Sequence, residues 1–206
     1  MATFGILAGF DGDSLPNHSP QLHSNHSFIP TETGPGVVRP VHGCRSEFVG
    51  VVRAHGAYRL IAVRRIAAGT RLFRIEGEQT RRPTRYSVQI GENLHIDLSG
   101  GHSSEEILDR YYWRFMNHSC EPNTHVRGQE VIASHAIEPW EDVTFNYNTT
   151  EFDLAEPFDC HCGSPGCFGT IRGFKHLTAD ERERMQPMLA PYLSRLLSPC
   201  AEFAPR

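Results

Sequence analysis

Three cysteines crowd into eight residues near the end of the chain and restrict what this stretch can fold into. The run reads Cys160-His161-Cys162-Gly-Ser-Pro-Gly-Cys167. Two thiols one residue apart can face the same side of an extended segment, and the Gly-Ser-Pro-Gly turn brings the third one back. Such crowding favours metal ligation in a reducing compartment. A strained disulfide or free thiols are the alternative.

A closed structural zinc site takes four ligands in a tetrahedron, so the cysteine run falls one short. The residue types alone leave several candidates for the fourth ligand open. They are Cys120, Cys44, Cys200, His118 and His161. His161 is poorly placed, because strand alternation turns its side chain away from its two cysteine neighbours.

A second dense run, Arg114–Asn123, reads R-F-M-N-H-S-C-E-P-N and follows several large apolar residues. Pro122 has no backbone donor and disfavours helix at the residue before it, so the chain leaves a packed element for an irregular loop. Asparagine, histidine and cysteine side chains so close together suggest a site. A polar turn after a buried helix is the alternative interpretation.

Short strand patterns, with turns about every eight to twelve residues, predict a mainly β fold with short helices. The predicted strands are Glu47–Arg53, Tyr58–Val63, Arg71–Glu76, Tyr86–Ile90, Asn93–Leu98, Thr124–Arg127, Glu130–Ala136 and Val143–Tyr147. A short helix capped by Ser103 or Ser104 is expected to run to Trp113, because acidic residues in its first turn suit its positive end.

The C-terminal region predicts a helix packed on the domain as a lid. Thr178 and Glu181 form a capping-box pattern at its start, and Pro187 and Pro191 should kink or segment it. Its apolar stripe comprises Met185, Met188, Leu189, Tyr192, Leu193, Leu196 and Leu197. A helix that binds a partner is the less favoured interpretation of this stripe.

Charge and composition exclude some functions. The net charge is -4 and no basic stripe is present, which argues against direct nucleic-acid binding as the main function. No apolar run approaches the ~20 residues of a membrane helix, and the N-terminus makes a poor signal peptide, so we expect an intracellular protein. Residues 1–36 suggest a flexible or loosely packed leader whose histidines are solvated, namely His18, His23 and His26.

Three pieces in order, R-F-M-N-H-S-C-E-P-N, V-T-F-N-Y and C-H-C-G-S-P-G-C-F-G, resemble the SET domain with its post-SET segment, as found in protein-lysine methyltransferases. The likeness runs from about Val49 to Phe174. It implies small curved sheets in which the first two pieces cross in a pseudoknot and form the active site. It also implies that Cys120 completes a zinc site with Cys160, Cys162 and Cys167.

The resemblance divides the chain into four parts. An N-terminal segment, 1–46, precedes the SET domain, 47–150. A post-SET zinc-binding segment, 151–175, and the C-terminal helix, 176–206, follow. The cytoplasm, or the nucleus in a eukaryote, is the expected location.

Residue by residue, Tyr147 matches the catalytic tyrosine. Phe145 matches the position that tunes how many methyl groups are added, and Tyr86 resembles a tyrosine of the lysine channel. Without a hydroxyl at Phe145, we expect di- or trimethylation. Glu151 and Asp153 follow the catalytic strand and are expected on a solvated turn.

The cofactor implied by the resemblance is S-adenosylmethionine. Asn117 and His118 match the positions that hold its adenine and ribose, Arg114 matches the start of that motif, and Phe168 would lie near the adenine from the post-SET side. The family's G-x-G triplet falls on Ala57-Tyr58-Arg59, which makes Tyr58 the expected cofactor-binding residue there.

Two further departures from the family pattern are visible. Asn146 stands where an acidic residue is usual between the two aromatic residues, and no cysteine-rich pre-SET segment precedes the domain. The expected activity is methyl transfer from S-adenosylmethionine to a lysine of a protein or peptide. The alternatives are a non-catalytic SET-like binding module, a zinc-stabilised interaction domain, and a methyltransferase that acts on a small amine.

Overall fold

The computed structural model describes residues 46–54 and 56–197. The predicted leader with its three histidines precedes this part, and so does Cys44, one of the candidate metal ligands. Cys200, another candidate, follows it. The predictions for these residues therefore lie outside the described part of the chain.

Twelve short strands and three short α-helices form the described part, which confirms the predicted mainly β fold with short helices. The strands are β1 Val49–Ala54, β2 Ala57–Ala62, β3 Arg71–Arg74, β4 Glu78–Thr80, β5 Val88–Gly91, β6 Leu94–Asp97, β7 Asn117–His118, β8 Thr124–Arg127, β9 Glu130–Ala133, β10 Thr144–Phe145, β11 Phe158–Asp159 and β12 Thr170–Ile171. The helices are α1 Ser104–Arg110, α2 Ala179–Met185 and α3 Pro191–Leu197. Short 3-10 helices span Tyr112–Phe115, Tyr147–Thr149, Phe174–His176 and Gln186–Met188.

The strands form five small sheets. β1 pairs with β2, and β11 with β12, both antiparallel. Two antiparallel sheets have three strands each, in the orders β4-β6-β5 and β3-β9-β8. β7 and β10 form a parallel pair, with Asn117 opposite Thr144 and His118 opposite Phe145. This pair positions the candidate site, because it sets side by side the two segments that the resemblance predicts to cross.

Asn123 fixes the approach of these two segments. Its Nδ2 donates to the carbonyl oxygen of Asp142 at 2.6 Å, and its Oδ1 accepts from the backbone N–H of Thr144 at 2.9 Å. The backbone N–H of Ser119 adds a bond to the carbonyl oxygen of Phe145 at 3.1 Å. The segments are therefore joined on both sides of β10 by directed hydrogen bonds.

The predicted strand Val143–Tyr147 is only partly present, since β10 covers two residues and Tyr147 leaves it. The side-chain Oδ1 of Asn146 accepts from the backbone N–H of Asn148 at 3.0 Å and caps the 3-10 helix that begins at Tyr147. Asparagine side chains compete with strand hydrogen bonds in this way. The chain therefore leaves the strand at Tyr147.

The C-terminal helix is divided as its prolines predict. Thr178 and Glu181 form the capping box of α2, and Pro191 is the first residue of α3. The two helices enclose a second small core made of Phe174, Leu177, Met185, Leu189, Ala190, Tyr192 and Leu193. Leu196 was predicted to belong to this apolar stripe, but it is 58 % exposed, because the chain's division at the prolines rotates its face away from the core.

Glu151 is buried, which contradicts its expected place on a solvated turn, whereas Asp153 is exposed. The Oε1 of Glu151 accepts from the backbone N–H of Gln89 at 2.8 Å. The side chain of Gln89 returns a bond by accepting from the backbone N–H of Phe152, also at 2.8 Å. These reciprocal bonds pull the carboxyl group inward and tie β5 to the segment that follows β10.

His95 on β6 lies against the same carboxyl group, with its Nε2 3.8 Å from Oε2 of Glu151. Burial raises the pKa of Glu151 to about 7 and lowers the pKa of His95. Both shifts favour the uncharged forms, because neither group can be hydrated at this depth. At mildly acidic pH the carboxyl group of Glu151 and the imidazole of His95 are therefore in contact as uncharged groups and do not form an ion pair.

The burial of Glu151 predicts a pH-dependent stability. Its folded-state pKa lies above the ordinary value of 4.5, so the folded chain binds the proton more tightly, and the free energy of unfolding falls as pH rises from about 4.5 to about 7. At ~1.4 kcal/mol per pKa unit, the loss is at most about 3 kcal/mol. Urea unfolding at several pH values should show a weaker decline for Glu151→Gln. The exposed Glu92→Gln serves as control, and an equal decline in both variants would refute the assignment.

Trp140 occupies the left-handed region, with φ of 73°, in a turn whose Glu141 N–H donates to Glu138 at 3.2 Å. Proline precedes it, as in a type II turn, where the third position favours glycine. We predict that Trp140→Gly is more stable than Trp140→Ala by about 1 kcal/mol, since both lose the half-exposed indole and only alanine keeps the strained Cβ. Denaturant unfolding of the pair measures this difference, and equal stability would contradict it.

Candidate active site

Tyr147 lies at the centre of the candidate site. Its side chain is 1 % exposed, and its phenol donates to the carbonyl oxygen of Met116 at 2.9 Å. The ring centroid lies 4.8 Å from that of Phe145 and 5.2 Å from that of His118. Phe158 closes the same group, with its ring 5.9 Å from Tyr147. The phenol oxygen thus sits in an apolar, aromatic setting with its proton already directed.

The imidazole of His118 connects this tyrosine to the cysteine cluster. Its Nδ1 accepts from the backbone N–H of Tyr147 at 3.2 Å, so the neutral ring carries its proton on Nε2. That Nε2 lies 3.3 Å from the sulfur of Cys120 and therefore donates to it. Burial lowers the pKa of His118 to about 3, which keeps the ring neutral and the tautomer fixed.

Four cysteines converge beside His118, namely Cys120, Cys160, Cys162 and Cys167, and their sulfurs all lie within 4.8 Å of one another. The sulfur of Cys120 is 3.8 Å from that of Cys160 and 3.8 Å from that of Cys167. These separations are far longer than the ~2.05 Å of a disulfide bond. The four residues can hold a metal ion, and they are the four that the resemblance names.

Hydrogen bonds and burial set the state of these thiols. Backbone N–H groups of Phe168 and Gly169 donate to the sulfurs of Cys120 and Cys167, each at 3.4 Å. Burial raises the pKa of Cys120, and it raises the pKa of Cys160 to about 11. For Cys162, burial also raises the pKa, but bonds from Ser164 outweigh it and lower the value to about 6. Several sulfurs so close together repel as thiolates, and a cation between them would relieve that repulsion.

Tyr86 lies in a positively charged setting. The guanidinium of Arg114 is 4.5 Å from the centroid of its ring, and that of Arg85 is 5.3 Å away. Arg114 is nearly buried and forms an ion pair with Asp97 at 3.0 Å. Tyr86 therefore packs against Arg114. Arg114 lies two residues before Met116, whose carbonyl oxygen accepts the hydrogen bond from Tyr147.

The expected cofactor residues fall into two places. Asn117 and His118 lie on β7 beside β10, and the ring of Tyr58 packs edge-on against Phe115 at 5.5 Å. Asn117 is 4 % exposed and lies opposite Thr144 in the pair of β7 with β10. The Nδ2 of Asn148 is buried and has no hydrogen-bond partner in the described part, which leaves a donor for a ligand.

Phe168 lies on the wall of a cavity of about 430 Å³. The lining residues are Asn148, Phe168, Thr170, Arg172, Gly173, His176, Leu177, Thr178 and Glu181. Neither Asn117 nor His118 is among them. Phe168 lies beside the cysteine cluster, where its backbone N–H donates to the sulfur of Cys120, and it shares the cavity wall with Asn148.

The sequence patterns missed the support that Glu151, Gln89 and His95 provide beneath the site. The backbone N–H of Glu151 donates to the carbonyl oxygen of Tyr147 at 2.8 Å. This four-residue spacing adds an α-turn to the end of the 3-10 helix and places the carboxyl group in the interior. The order of polar and apolar residues in the run T-T-E-F-D, residues 149–153, does not indicate this turn. Only the helical spacing from Tyr147 would have indicated it.

The sequence of the chain is similar to those of known proteins of one family. The SET domain family model matches residues 9–148. The methyltransferase flvH of Aspergillus flavus is 32 % identical over 116 residues, which cover 54 % of this chain and 58 % of that protein. The histone-lysine N-methyltransferase of Gibberella zeae described as H3 lysine-36 specific is 40 % identical over 117 residues, or 50 % of this chain and 13 % of that protein.

The histone-lysine N-methyltransferase ash1 of Drosophila melanogaster is 35 % identical over 139 residues, which cover 61 % of this chain and 6 % of that protein. The chain thus spans between 6 % and 58 % of the length of these three relatives. The family match extends over more than half of the chain and includes β7, β10 and Tyr147. The chain belongs to the SET domain family.

Proposed function

We propose that the chain transfers methyl groups from S-adenosylmethionine to a lysine side chain of a protein or peptide. The observation that carries this proposal is the parallel pairing of β7 with β10, which sets Asn117 opposite Thr144 and His118 opposite Phe145, with the ring of His118 5.2 Å from that of Tyr147. In a chain of this family, that pairing joins the expected cofactor residues to the expected catalytic tyrosine. Two of the relatives named above are histone-lysine N-methyltransferases, which supports the lysine substrate.

The residues present fit the cofactor. Asn148, whose buried Nδ2 has no partner in the described part, lines the same cavity as Phe168 and can donate to an acceptor of the adenine ring. The other residues proposed to hold the cofactor are Arg114, Asn117, His118, Tyr58 and Phe168. Bound there, S-adenosylmethionine supplies an electrophilic methyl group on a positively charged sulfur.

The chain's task is to present a neutral lysine amine in line with that methyl group. Free lysine has a pKa near ~10.4, so most of it is charged at neutral pH. Phe145 and Tyr147 are 3 % and 1 % exposed, and we propose that they and Tyr86 wall the channel. Desolvation in such a channel favours the uncharged amine, and the guanidinium groups near Tyr86 act in the same direction.

Tyr147 is proposed to orient the amine. Because its phenol donates its proton to Met116, the oxygen keeps lone pairs that can accept an N–H of the lysine. The amine lone pair is then aimed away from the tyrosine. Holding reacting atoms in line is worth up to ~7–11 kcal/mol in well-oriented systems, and we assign most of the rate gain to this effect. The displaced proton is expected to leave to water.

The cysteine cluster is proposed to hold zinc. A tetrahedral site with zinc–sulfur bonds of ~2.3 Å places its sulfurs about 3.8 Å apart. Cys120 lies at 3.8 Å from the sulfurs of both Cys160 and Cys167, which matches that separation. Metal binding would fasten the segment 160–167 to the run that carries Asn117 and His118, and would couple the folding of this segment to the metal.

A methyltransferase that acts on a small amine is the second candidate. The relative flvH is named a methyltransferase with no histone in its name. A non-catalytic SET-like module and a zinc-stabilised interaction domain are the remaining alternatives, and both predict no methyl transfer by the wild-type chain.

The location and the boundaries of the parts stay predictions. We propose an intracellular protein, in the nucleus or the cytoplasm, since two relatives are named for histone substrates. Within residues 46–54 and 56–197, every helix is too short or too polar to cross a membrane. The SET domain at 47–150, the post-SET segment at 151–175 and the C-terminal part at 176–206 are proposed as in the resemblance.

Replacing Tyr147 with phenylalanine tests the proposed activity. We expect Tyr147→Phe to lower methyl transfer from labelled cofactor to a lysate at least about 100-fold, because the amine loses its orienting group. Tyr192→Phe is the matched control, since this buried phenol also donates to a backbone carbonyl, that of Thr150, outside the proposed channel. Unchanged transfer by folded Tyr147→Phe would refute the catalytic role.

Mass spectra of the wild-type products test the role of Phe145 in the same assay. The proposal expects di- or trimethyl-lysine, because a phenylalanine leaves room for a bulkier amine. Monomethyl product alone, unaltered by Phe145→Tyr, would contradict it.

Cys120→Ala tests the metal proposal. Loss of one of four thiolate ligands should lower the zinc content measured by atomic emission, and should weaken cofactor binding measured by calorimetry at the same time. Cys44→Ala and Cys200→Ala remove the other candidate cysteines and are expected to keep full zinc. Full zinc in Cys120→Ala would place the fourth ligand elsewhere.

A further inference from the structure

Arg81, Arg82 and Arg85 form a basic run that the proposed mechanism does not use. Arg81 and Arg82 are exposed and Arg85 is half-buried, in a chain whose net charge is -4. Arg85 pairs with Glu156 at 3.4 Å. Neither guanidinium of Arg81 or Arg82 forms an ion pair within the part of the chain that the structure describes. Two cations without a counterion among the described residues are available to a partner.

The turn that carries these arginines is held in place by its own hydroxyl groups. The backbone N–H of Arg82 donates to the Oγ1 of Thr80 at 3.1 Å, and that of Thr84 donates to the Oγ of Ser87 at 2.9 Å. The hydroxyl of Thr84 donates in turn to Asp97 at 2.7 Å. The basic run therefore has a fixed backbone, and only its side chains must become ordered on binding.

The run ends at Tyr86, the proposed wall of the lysine channel. Arg85 directly precedes Tyr86 and lies over its ring, and Arg114 contacts the same ring. The charge of Arg114 is offset by its ion pair with Asp97. The uncompensated positive charge at this end of the channel thus comes from the turn at 81–85.

The structure shows what kind of group this turn accepts. The partner of Arg85 is the carboxylate of Glu156, which lies in the segment between Tyr147 and Cys160. Its pairing with Arg85 shows that a carboxylate can approach the turn next to Tyr86. Arg81 and Arg82 offer the same chemistry to a carboxylate from outside the chain.

Resting on the proposed function, we propose that Arg81, Arg82 and Arg85 form a basic rim at the channel and select substrates whose target lysine has acidic residues close to it. Carboxylates next to the lysine would pair with Arg81 and Arg82 while the lysine enters beside Tyr86. Basic flanking residues would be repelled by the same groups. The rim thus defines the substrate class as lysine in an acidic sequence context.

An acidic peptide fits this rim better than a nucleic acid. Phosphate-backbone binding draws on many cations along a groove, and its affinity grows with the number of phosphates neutralised. Three arginines on one turn of an acidic chain supply only a short footprint. Such a footprint matches two or three carboxylates of an extended peptide.

The test compares steady-state kinetics on three synthetic peptides that differ only in the residues flanking one lysine, which are glutamate, glutamine or lysine. The wild-type chain is expected to have the lowest KM for the glutamate peptide. In Arg81→Gln/Arg82→Gln that KM should rise about five-fold, because exposed ion pairs are individually weak. The kcat and the KM for the glutamine peptide should stay unchanged. Added salt should weaken the wild-type preference, since a Debye length of ~8 Å at 0.15 M screens exposed charges.

Arg127→Gln is the matched control, because Arg127 is an exposed arginine on the separate β3-β9-β8 sheet. The basic-rim proposal is wrong if an active wild type has equal KM values for the three peptides, or if the preference survives in the double variant. Neither result would contradict the methyltransferase proposal. Loss of duplex DNA binding in the double variant, with peptide kinetics unchanged, would assign the run to nucleic acid and also overturn the basic-rim proposal. No transfer to any peptide or lysate would instead defeat the proposed function.

Discussion

The imidazole of His118 is the contact on which the candidate site depends. It is a neutral ring with one acceptor and one donor, and each is used by a different part of the chain. The acceptor Nδ1 holds the backbone of Tyr147, and the donor Nε2 meets the sulfur of Cys120. A buried ring can make both bonds only if it stays neutral, and its burial ensures that. The cysteine cluster and the tyrosine are thereby joined through a single side chain.

Several weaker constraints hold this ring and tyrosine in register. β7 and β10 pair over only two residues each, which is too short to be stable alone. Asn123 clamps the strand approach, Asn146 turns the chain at Tyr147, and Glu151 ties the following segment to β5. All of them are polar side chains bonded to backbone. Such bonds define position more sharply than apolar contacts do, and leaving any partner unsatisfied in the interior is costly.

The sequence predicted the parts of this fold that depend on local chemistry. The capping box of Thr178 with Glu181 and the division of the last helix at Pro191 follow from individual residue types, and the structure contains them. The order of the three motifs was enough to indicate the family. The pairing of β7 with β10 could not be derived from periodicity, because a two-residue strand has no period.

The long-range polar contacts were beyond sequence patterns for a different reason. Glu151 reads as a surface residue because its partners, Gln89 and His95, lie more than fifty residues away. Burial of a carboxyl group is decided by what packs around it, and no local spacing reports that. The face presented by Leu196 was misjudged for the same reason, since the helix direction after Pro191 depends on where α3 docks.

The tautomer of His118 is the most direct measure of the link between the cysteine cluster and Tyr147. Nitrogen-15 NMR of the imidazole, assigned with a His118→Gln variant, distinguishes a protonated Nε2 from a protonated Nδ1. We predict a neutral ring with its proton on Nε2, because Nδ1 accepts from the backbone N–H of Tyr147. A proton on Nδ1, or a ring charged at neutral pH, would contradict it, since neither state can accept that bond.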